Sequence, residues 1–329
     1  MEILLDSSIE FIKSLQSMGD WLTSIMQLFS WLGNEDFYVL VMPILLWCID
    51  LRIGIRVGLI LMLSGIFNTY FKWIIHSPRP FWYSNDIIPF SFESSFGAPS
   101  GHAQNSVAVW GLLAAKIRQR WTWFLAVALM FFIGFSRMQL GMHFPIDVAL
   151  GWSLGVFILY IFLRFESPSK KWLEEKGIPQ QIGTMFAIAL GFVLVAWLIR
   201  SIVGDFQIPD QWVTAALDAA PEGESTDPWA MSGIITNAAS FFGLVTGYIL
   251  LKQRGGYNPK GTALEFILRF IVGIIGVVIL WMGLGEIFPH GETILPLILR
   301  FIRYALVSLW VSYIAPLLFI RLKIAKNLS

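Results

Sequence analysis

Residues 136–164 read SRMQLGMHFPIDVALGWSLGVFILYIFLR, and this stretch decides what kind of chain it is. Its second half, from Phe144 to Arg164, is an apolar run long enough to cross a bilayer core. Its first half crowds Arg137, His143 and Asp147 at the mouth of that run, in a chain only 14% charged. Pro145 suits the first turn of a helix, where its missing N–H would have no intrahelical partner. A helix beginning near Phe144 sets Asp147 one turn beyond His143, on the same face. A carboxylate there can accept the Nδ1 proton of the imidazole and leave Nε2 outward as a nucleophile. Arg137 offers a planar, permanently charged fork suited to phosphate oxygens. The same three residues would equally make a salt bridge at a helix end, so the rest of the chain has to decide.

Working outward, comparable apolar runs recur from end to end. Hydrophobic residues make up 56% of the chain and its mean hydropathy is +0.68, well above ordinary soluble domains. The expected fold is an all-α polytopic membrane bundle of about nine transmembrane helices. They are placed at 36–50, 53–75, 101–117, 121–140, 144–164, 182–203, 231–251, 263–286 and 294–321. Residues 1–35 precede them as an amphipathic segment, with Ile9, Ile12, Leu15, Trp21, Ile25, Leu28 and Leu32 set against acids and amides. That pattern predicts a helix lying along the membrane interface. The N-terminus has Glu2, Asp6 and Glu10 and lacks the basic region of a cleaved signal peptide. Net charge is +1 with no long basic run, which gives no footing for nucleic acid. Cys48 is the only cysteine, so an intramolecular disulfide is excluded and a cysteine metal site is disfavoured.

The connections sort by charge. Arg52, Arg56, Lys116, Arg118, Arg120, Arg164, Lys170, Lys171, Lys176, Lys252, Arg254, Lys260, Arg321, Lys323 and Lys326 fall on one side. Asp205, Asp210, Asp218, Glu222, Glu224, Asp227, Glu286 and Glu292 fall on the other. The positive-inside rule puts the basic set and the C-terminus in the cytoplasm, with the N-terminus outside. An odd number of spans keeps that alternation. The outer connections 204–230 and 287–293 read as solvated loops. Connection 76–100 and the turn at Gly141–His143 fall on the same outer face.

Two further segments put polar chemistry on that face. Lys72 lies inside the second apolar run, where a charge needs a partner or a wet cavity unless it snorkels. Arg79 follows between Pro78 and Pro80, which stiffen its approach. Pro99-Ser100-Gly101-His102 opens the third span, and its helix N-terminus directs N–H groups and positive dipole at an anion. Ser100 can cap or donate, Gly101 permits close approach, and His102 stands level with His143. Lys72, Arg79 and Arg137 with two histidines match a bound phosphate: one histidine attacks phosphorus and the other protonates the leaving oxygen. No acidic pair accompanies these segments to hold Mg²⁺ or Zn²⁺, so no metal is expected. Asp86 and Glu93 read as lone, exposed acids, and His76 and His290 as interfacial residues, His76 near enough to line the site.

These residues resemble the type 2 phosphatidic acid phosphatase family, which is related in its site to vanadium haloperoxidases. The family signature, Lys-x6-Arg-Pro, Pro-Ser-Gly-His and Ser-Arg-x5-His-x3-Asp, is met at Lys72–Pro80, Pro99–His102 and Ser136–Asp147 in order and spacing. The resemblance implies a phosphohistidine on His143, Asp147 as its orienting carboxylate and His102 as general acid, then base. It implies phosphate binding by Lys72, Arg79, Ser100, Gly101 and Arg137, with no cofactor. A nine-span layout is also similar to the glucose-6-phosphatase branch. The expected organisation is an interfacial segment at 1–35, a phosphatase core at 36–165 with its site on the non-cytoplasmic face, and additional helices at 166–329. A lipid phosphate (phosphatidate, a prenyl pyrophosphate or a sphingoid phosphate) is the expected substrate. The reason is that Phe81, Trp82, Tyr83, Phe90, Phe92 and Phe96 suit the headgroup level. A sugar phosphate is the alternative. A transporter with a phosphatase-like site is the alternative of another class, motivated by Arg200, Asn237, Arg269, Glu286, Arg300 and Arg303 at or within apolar segments.

Overall fold

Helix follows helix through the whole computed structural model, which describes residues 2–219 and 227–328; Glu222 and Glu224 lie outside the described residues. The amphipathic N-terminus forms α1 (Glu2–Gln16) and α2 (Asp20–Trp31), broken at Gly19. Next come α3 (Glu35–Ile44), prolonged by a π turn at Leu45–Ile49, then α4 (Leu51–Ile75) and the single turn α5 (Pro80–Tyr83). Helices α6 (Gly101–Ile117), α7 (Arg120–Gln139), α8 (Pro145–Glu174) and α9 (Ile178–Val203) follow. After α10 (Asp210–Ala219) come α11 (Ser232–Gln253) and α12 (Ala263–Val278), the latter running through a second π turn into α13 (Leu284–Ile287). Helix α14 (Ile294–Leu309) likewise passes through a π turn into α15 (Ala315–Arg321).

Seven stretches among the described residues are long and apolar enough to cross a membrane. They are Leu51–Tyr83, Arg120–Gln139, Pro145–Glu174, Ile178–Val203, Ser232–Gln253, Ala263–Ile287 and Ile294–Arg321. This is an integral membrane protein. The other two expected spans are helices of lesser length. The apolar part of the first is only Leu40–Ile49, with Pro43 inside α3. The second, α6, has 17 residues and commits Gln104, Asn105 and Ser106 to buried polar positions. Seven is therefore the count that length and apolarity support, not nine.

The chain folds as two compact units. The first comprises Met1–Phe37, Phe67–Ile161 and Trp197–Ala230; the second comprises Tyr38–Ile66, Phe162–Ala196 and Met231–Ser329.

In the first unit the N-terminal helices do more than line an interface. Ile12, Leu15, Leu22 and Met26 turn inward, Leu15 joining Ala103, Met138 and Val148 in one apolar cluster, and Phe29 stacks on Phe132 at 4.8 Å. Trp21, Ile25 and Leu28 remain exposed on the other side, the face an interfacial helix presents to lipid. Helix α8 lies against α6 through two glycines. A Cβ at Gly151 would stand 2.5 Å from the Ser100 carbonyl, and one at Gly155 would stand 2.7 Å from that of Gln104. Small residues one turn apart let two backbones approach in this way. The connection 204–230, expected as a solvated loop, is partly built in. Trp73 donates to the Pro228 carbonyl at 2.9 Å, Trp229 packs edge-on to Phe96, and His76 stacks on Phe206 at 4.5 Å. His76 is thus an aromatic packing residue.

The second unit explains one of the intramembrane charges. Arg269 is wholly buried and donates to the carbonyls of Pro259 (2.6 Å), Ile324 (2.7 Å), Lys260 (3.0 Å) and Trp47 (3.3 Å). Those are the carbonyls of chain turns that have no helical partner, so the guanidinium acts as a structural plug. Gly273 and Gly276 of α12 leave room for the rings of Trp47 and Trp310.

Candidate active site

The turn after α7 is built by short-range chemistry. The N–H of Met142 bonds the Arg137 carbonyl and the N–H of Gly141 bonds that of Met138, both at 3.0 Å. This pair of bonds is the Schellman ending, and it requires the left-handed backbone that Gly141 adopts, φ 70°. The His143 N–H also reaches the Arg137 carbonyl, at 3.1 Å, so the reversal carries His143 back beside the helix end. Gly141→Ala is expected to lower stability by about 1–2 kcal/mol, the usual cost of a side chain in the left-handed region. Its Cβ would also press on the Ile88 carbonyl at 2.8 Å. Thermal melting of the detergent-solubilised protein checks this; an unchanged midpoint would mean that the turn relaxes freely.

Helix α8 begins as the proline suggested, with Pro145 as its first residue. Asp147, in the third helical position, accepts the Phe144 N–H at Oδ2, 2.9 Å, and so caps its own helix. The same oxygen lies 3.5 Å from Nδ1 of His143. That distance gives electrostatic contact but is longer than a formed hydrogen bond, and such pairs in empty sites commonly tighten on binding. Both side chains are buried, His143 at 1% exposure and Asp147 at 0%. Burial, then Arg79 and Arg137, push the His143 imidazole well below its ordinary value, so it is neutral at neutral pH with a lone pair to offer.

The cations converge on it. Arg79, fully buried, places Nη1 3.5 Å from His143 Nε2 and donates from the same nitrogen to the Met142 carbonyl at 3.1 Å. Its Nε reaches the Ser95 carbonyl at 2.7 Å. Lys72 does not snorkel; Nζ donates to Ser95 Oγ at 2.8 Å and to the Phe96 carbonyl at 2.7 Å. Ser95 Oγ also accepts from Arg79 Nη2 at 3.0 Å, so the lysine and Arg79 share one hydroxyl. Arg137 Nη1 donates to Ser30 Oγ on α2 at 2.5 Å, while its Nε is buried without a partner.

The start of α6 closes the site. Ser100 is its N-cap residue, yet its hydroxyl makes no capping bond and is buried with no partner. Its N–H bonds the Asp147 carbonyl at 2.9 Å, tying the two helix starts together. Asn68 steadies the turn by donating to the Pro99 carbonyl (3.1 Å) and Gln104 Oε1 (2.8 Å), and lies against Gly101. His102 is half-buried and close enough to Arg137, Glu93 and Arg79 to feel their charges. Gly33, just beyond α2, backs onto it.

All eight residues singled out by spacing therefore lie in the first unit; contacts link Lys72, Arg79, Arg137, His143, Asp147 and Ser100 directly or through one intermediary, and Gly101 and His102 follow Ser100 in the chain. Three participants escaped the sequence reading: Glu93, Ser95 and Ser30. Glu93 corrects the expectation of a lone exposed acid. Its Oε2 accepts from Arg79 Nη2 at 3.0 Å and its Oε1 from Arg137 Nη2 at 3.2 Å. Burial pushes its carboxyl up, but Arg79 and Arg137 outweigh that and hold it at about 2. Three acceptable anion donors with an orphaned serine hydroxyl and a neutral histidine can bind a phosphate and attack it.

Known proteins share these segments. Residues 53–171 match the model of the PAP2 superfamily, and residues 235–327 match that of the PAP2 superfamily phosphatase transmembrane extension. Glucose-6-phosphatase 3 of Homo sapiens is 26% identical over 229 residues, 60% of this chain and 63% of its own length. The chain thus spans less than two thirds of that relative. Undecaprenyl-diphosphatase of Sulfolobus acidocaldarius is 30% identical over 156 residues, 46% of this chain and 74% of its own. Sphingosine-1-phosphate phosphatase 1 of Mus musculus is 32% identical over 139 residues, 40% of this chain and 32% of its own.

Proposed function

The chain belongs to the PAP2 superfamily, and from that membership we propose that it is a metal-independent membrane phosphatase working through a phosphohistidine. The observation that carries this reading is the convergence of Lys72, Arg79 and Arg137 around the buried His143–Asp147 pair. In the proposed sequence the three cations, Ser100 and the α6 N-terminus hold the phosphate. His143 Nε2 forms a bond to phosphorus as the ester P–O bond breaks. His102 gives its proton to the leaving oxygen, then takes one from water, whose oxygen displaces His143 and releases phosphate. Asp147 holds the tautomer with the proton on Nδ1.

A lipid phosphate is the favoured substrate. Part of the aromatic argument for it falls away, because Phe81, Trp82 and Phe96 are buried and cannot anchor at headgroups. What supports it is the exposed Ile88 and Phe90 at the rim of the same loop, at 77% and 49% exposure. The relatives named for undecaprenyl diphosphate and sphingosine 1-phosphate point the same way. A sugar phosphate is the second reading, favoured by the longer alignment to glucose-6-phosphatase 3. The transporter reading loses one support, since Arg269 is engaged by backbone carbonyls. By the charge asymmetry of the loops, the site and N-terminus face away from the cytoplasm and the C-terminus into it, an arrangement that needs an odd number of crossings. The catalytic core is assigned to 36–165, the interfacial segment to 1–35 and the added helices to 166–329.

Phosphate release by the purified protein in detergent with EDTA tests this. The panel is phosphatidate, a prenyl pyrophosphate, sphingosine phosphate and glucose 6-phosphate. The expected result is release from one of the lipids with EDTA present. Glucose 6-phosphate as the best substrate moves the protein to the sugar reading. Activity lost in EDTA and restored by a divalent cation overturns metal independence, and no release from any substrate favours transport.

A further inference from the structure

Glu93 holds the two arginine nitrogens that a bound phosphate would need. Its carboxylate oxygens accept separately from Arg79 Nη2 and Arg137 Nη2, and Arg79's other terminal nitrogen is 3.5 Å from the His143 nitrogen that would attack. A carboxylate spanning two guanidinium groups occupies the same donors, with the same charge sign, as two oxygens of a phosphate. The segment carrying it is held by little else. On one side, the loop is tied to α1 by Tyr83–Asp6 (2.9 Å), Lys13–Asp86 (3.0 Å) and Gln16 to the Ile88 carbonyl (2.7 Å). The Phe90 N–H then bonds the Leu140 carbonyl at 3.1 Å. On the other side, Lys72 and Arg79 grip Ser95 and Phe96, and the Gly97 N–H bonds Ser77. Between these anchors, the backbone of Ser91, Phe92, Glu93 and Ser94 makes no hydrogen bond among the described residues. Glu93 is 31% exposed, so its side chain has a way out.

We infer that Glu93 is a resident anion that holds the arginine pair in place and must swing out, carrying segment 91–94 with it, before a substrate phosphate can bind. The inference rests on the phosphate-clamp reading above and adds a determinant of affinity to it. Substrate entry is then an exchange of one anion for another, and the returning carboxylate helps expel the phosphate product. The alternative, that Glu93 is only a brace for the arginines, makes the opposite forecast. Losing a brace loosens the cations and weakens anion binding, whereas losing a competitor strengthens it.

The test is titration calorimetry of orthovanadate into the full-length protein in detergent, comparing wild type with Glu93→Gln, Glu93→Ala and Asp86→Asn. Asp86 is an exposed acid of the same loop, so its variant makes the same charge change away from the arginines. The Kd is expected to fall roughly tenfold or more in both Glu93 variants, the scale of one lost charge-assisted competitor. It is expected to stay within about twofold in Asp86→Asn, because an exposed charge is screened. In steady state the Glu93 variants should show a lower KM and a lower kcat together, as product leaves more slowly. Weaker or equal vanadate binding in both Glu93 variants overturns the inference, as does equal tightening in Asp86→Asn. Wild-type protein that binds no vanadate, like all its variants, overturns the clamp itself.

Discussion

His143→Ala protein is expected to release no measurable phosphate from the best substrate, with kcat reduced at least about 10⁴-fold, the scale seen when a nucleophile is deleted. The reason is geometric. Among the described residues, Nε2 of His143 is the neutral nitrogen that stands beside the arginine pair, 3.5 Å from Arg79. His102 lies at the same cluster but lacks a carboxylate one turn away to fix its tautomer. Removing the ring leaves the cations in place, because Arg79 and Arg137 are held by Met142, Ser95, Ser30 and Glu93. Vanadate binding should therefore survive while turnover does not, and protein quenched in alkali, where a phosphohistidine persists, should carry no labelled phosphate. Activity within about 100-fold of wild type, too small a loss for a deleted nucleophile, would refute a phosphohistidine at this position.

Asp147→Asn should be nearly as damaging to kcat, by about 10³–10⁴-fold, on the precedent of an orienting aspartate made into an amide in a histidine-dependent enzyme. The amide can keep the helix cap, since its oxygen can still accept the Phe144 N–H that Asp147 Oδ2 accepts at 2.9 Å. That same oxygen is the one 3.5 Å from His143 Nδ1, so the amide keeps an acceptor there but removes the negative charge that steadies the ring as it bonds to phosphorus. Stability and KM should change little while kcat collapses. A kcat within about tenfold of wild type, well short of the loss expected when the orienting charge is removed, would show that Asp147 serves the helix cap and not the histidine.

The difference between what spacing revealed and what it missed follows the range of the interactions. Arg137, Gly141, His143, Pro145 and Asp147 were legible because a helix end, a Schellman turn and a helix start are settled by neighbours within a few positions. The apolar runs made the membrane bundle legible for the same reason: crossing a bilayer is a property of one continuous segment. Glu93 was not legible. It meets Arg79 and Arg137 across separations of 14 and 44 residues, and Ser30 meets Arg137 across 107. An acid in a polar loop looks solvated until the fold brings buried cations to it.

By itself, then, the sequence determined an all-helical membrane protein, the local geometry of the His143–Asp147 turn and the residues of three polar segments. Only the tertiary structure decided that α1 and α2 cover the site's unit, that Arg269 is a plug for loose carbonyls, and that Glu93 sits between the arginines. Helix periodicity and capping are written in adjacent residues. The partner of a buried charge is whichever group the packed chain delivers to it, and no spacing along the sequence encodes that choice.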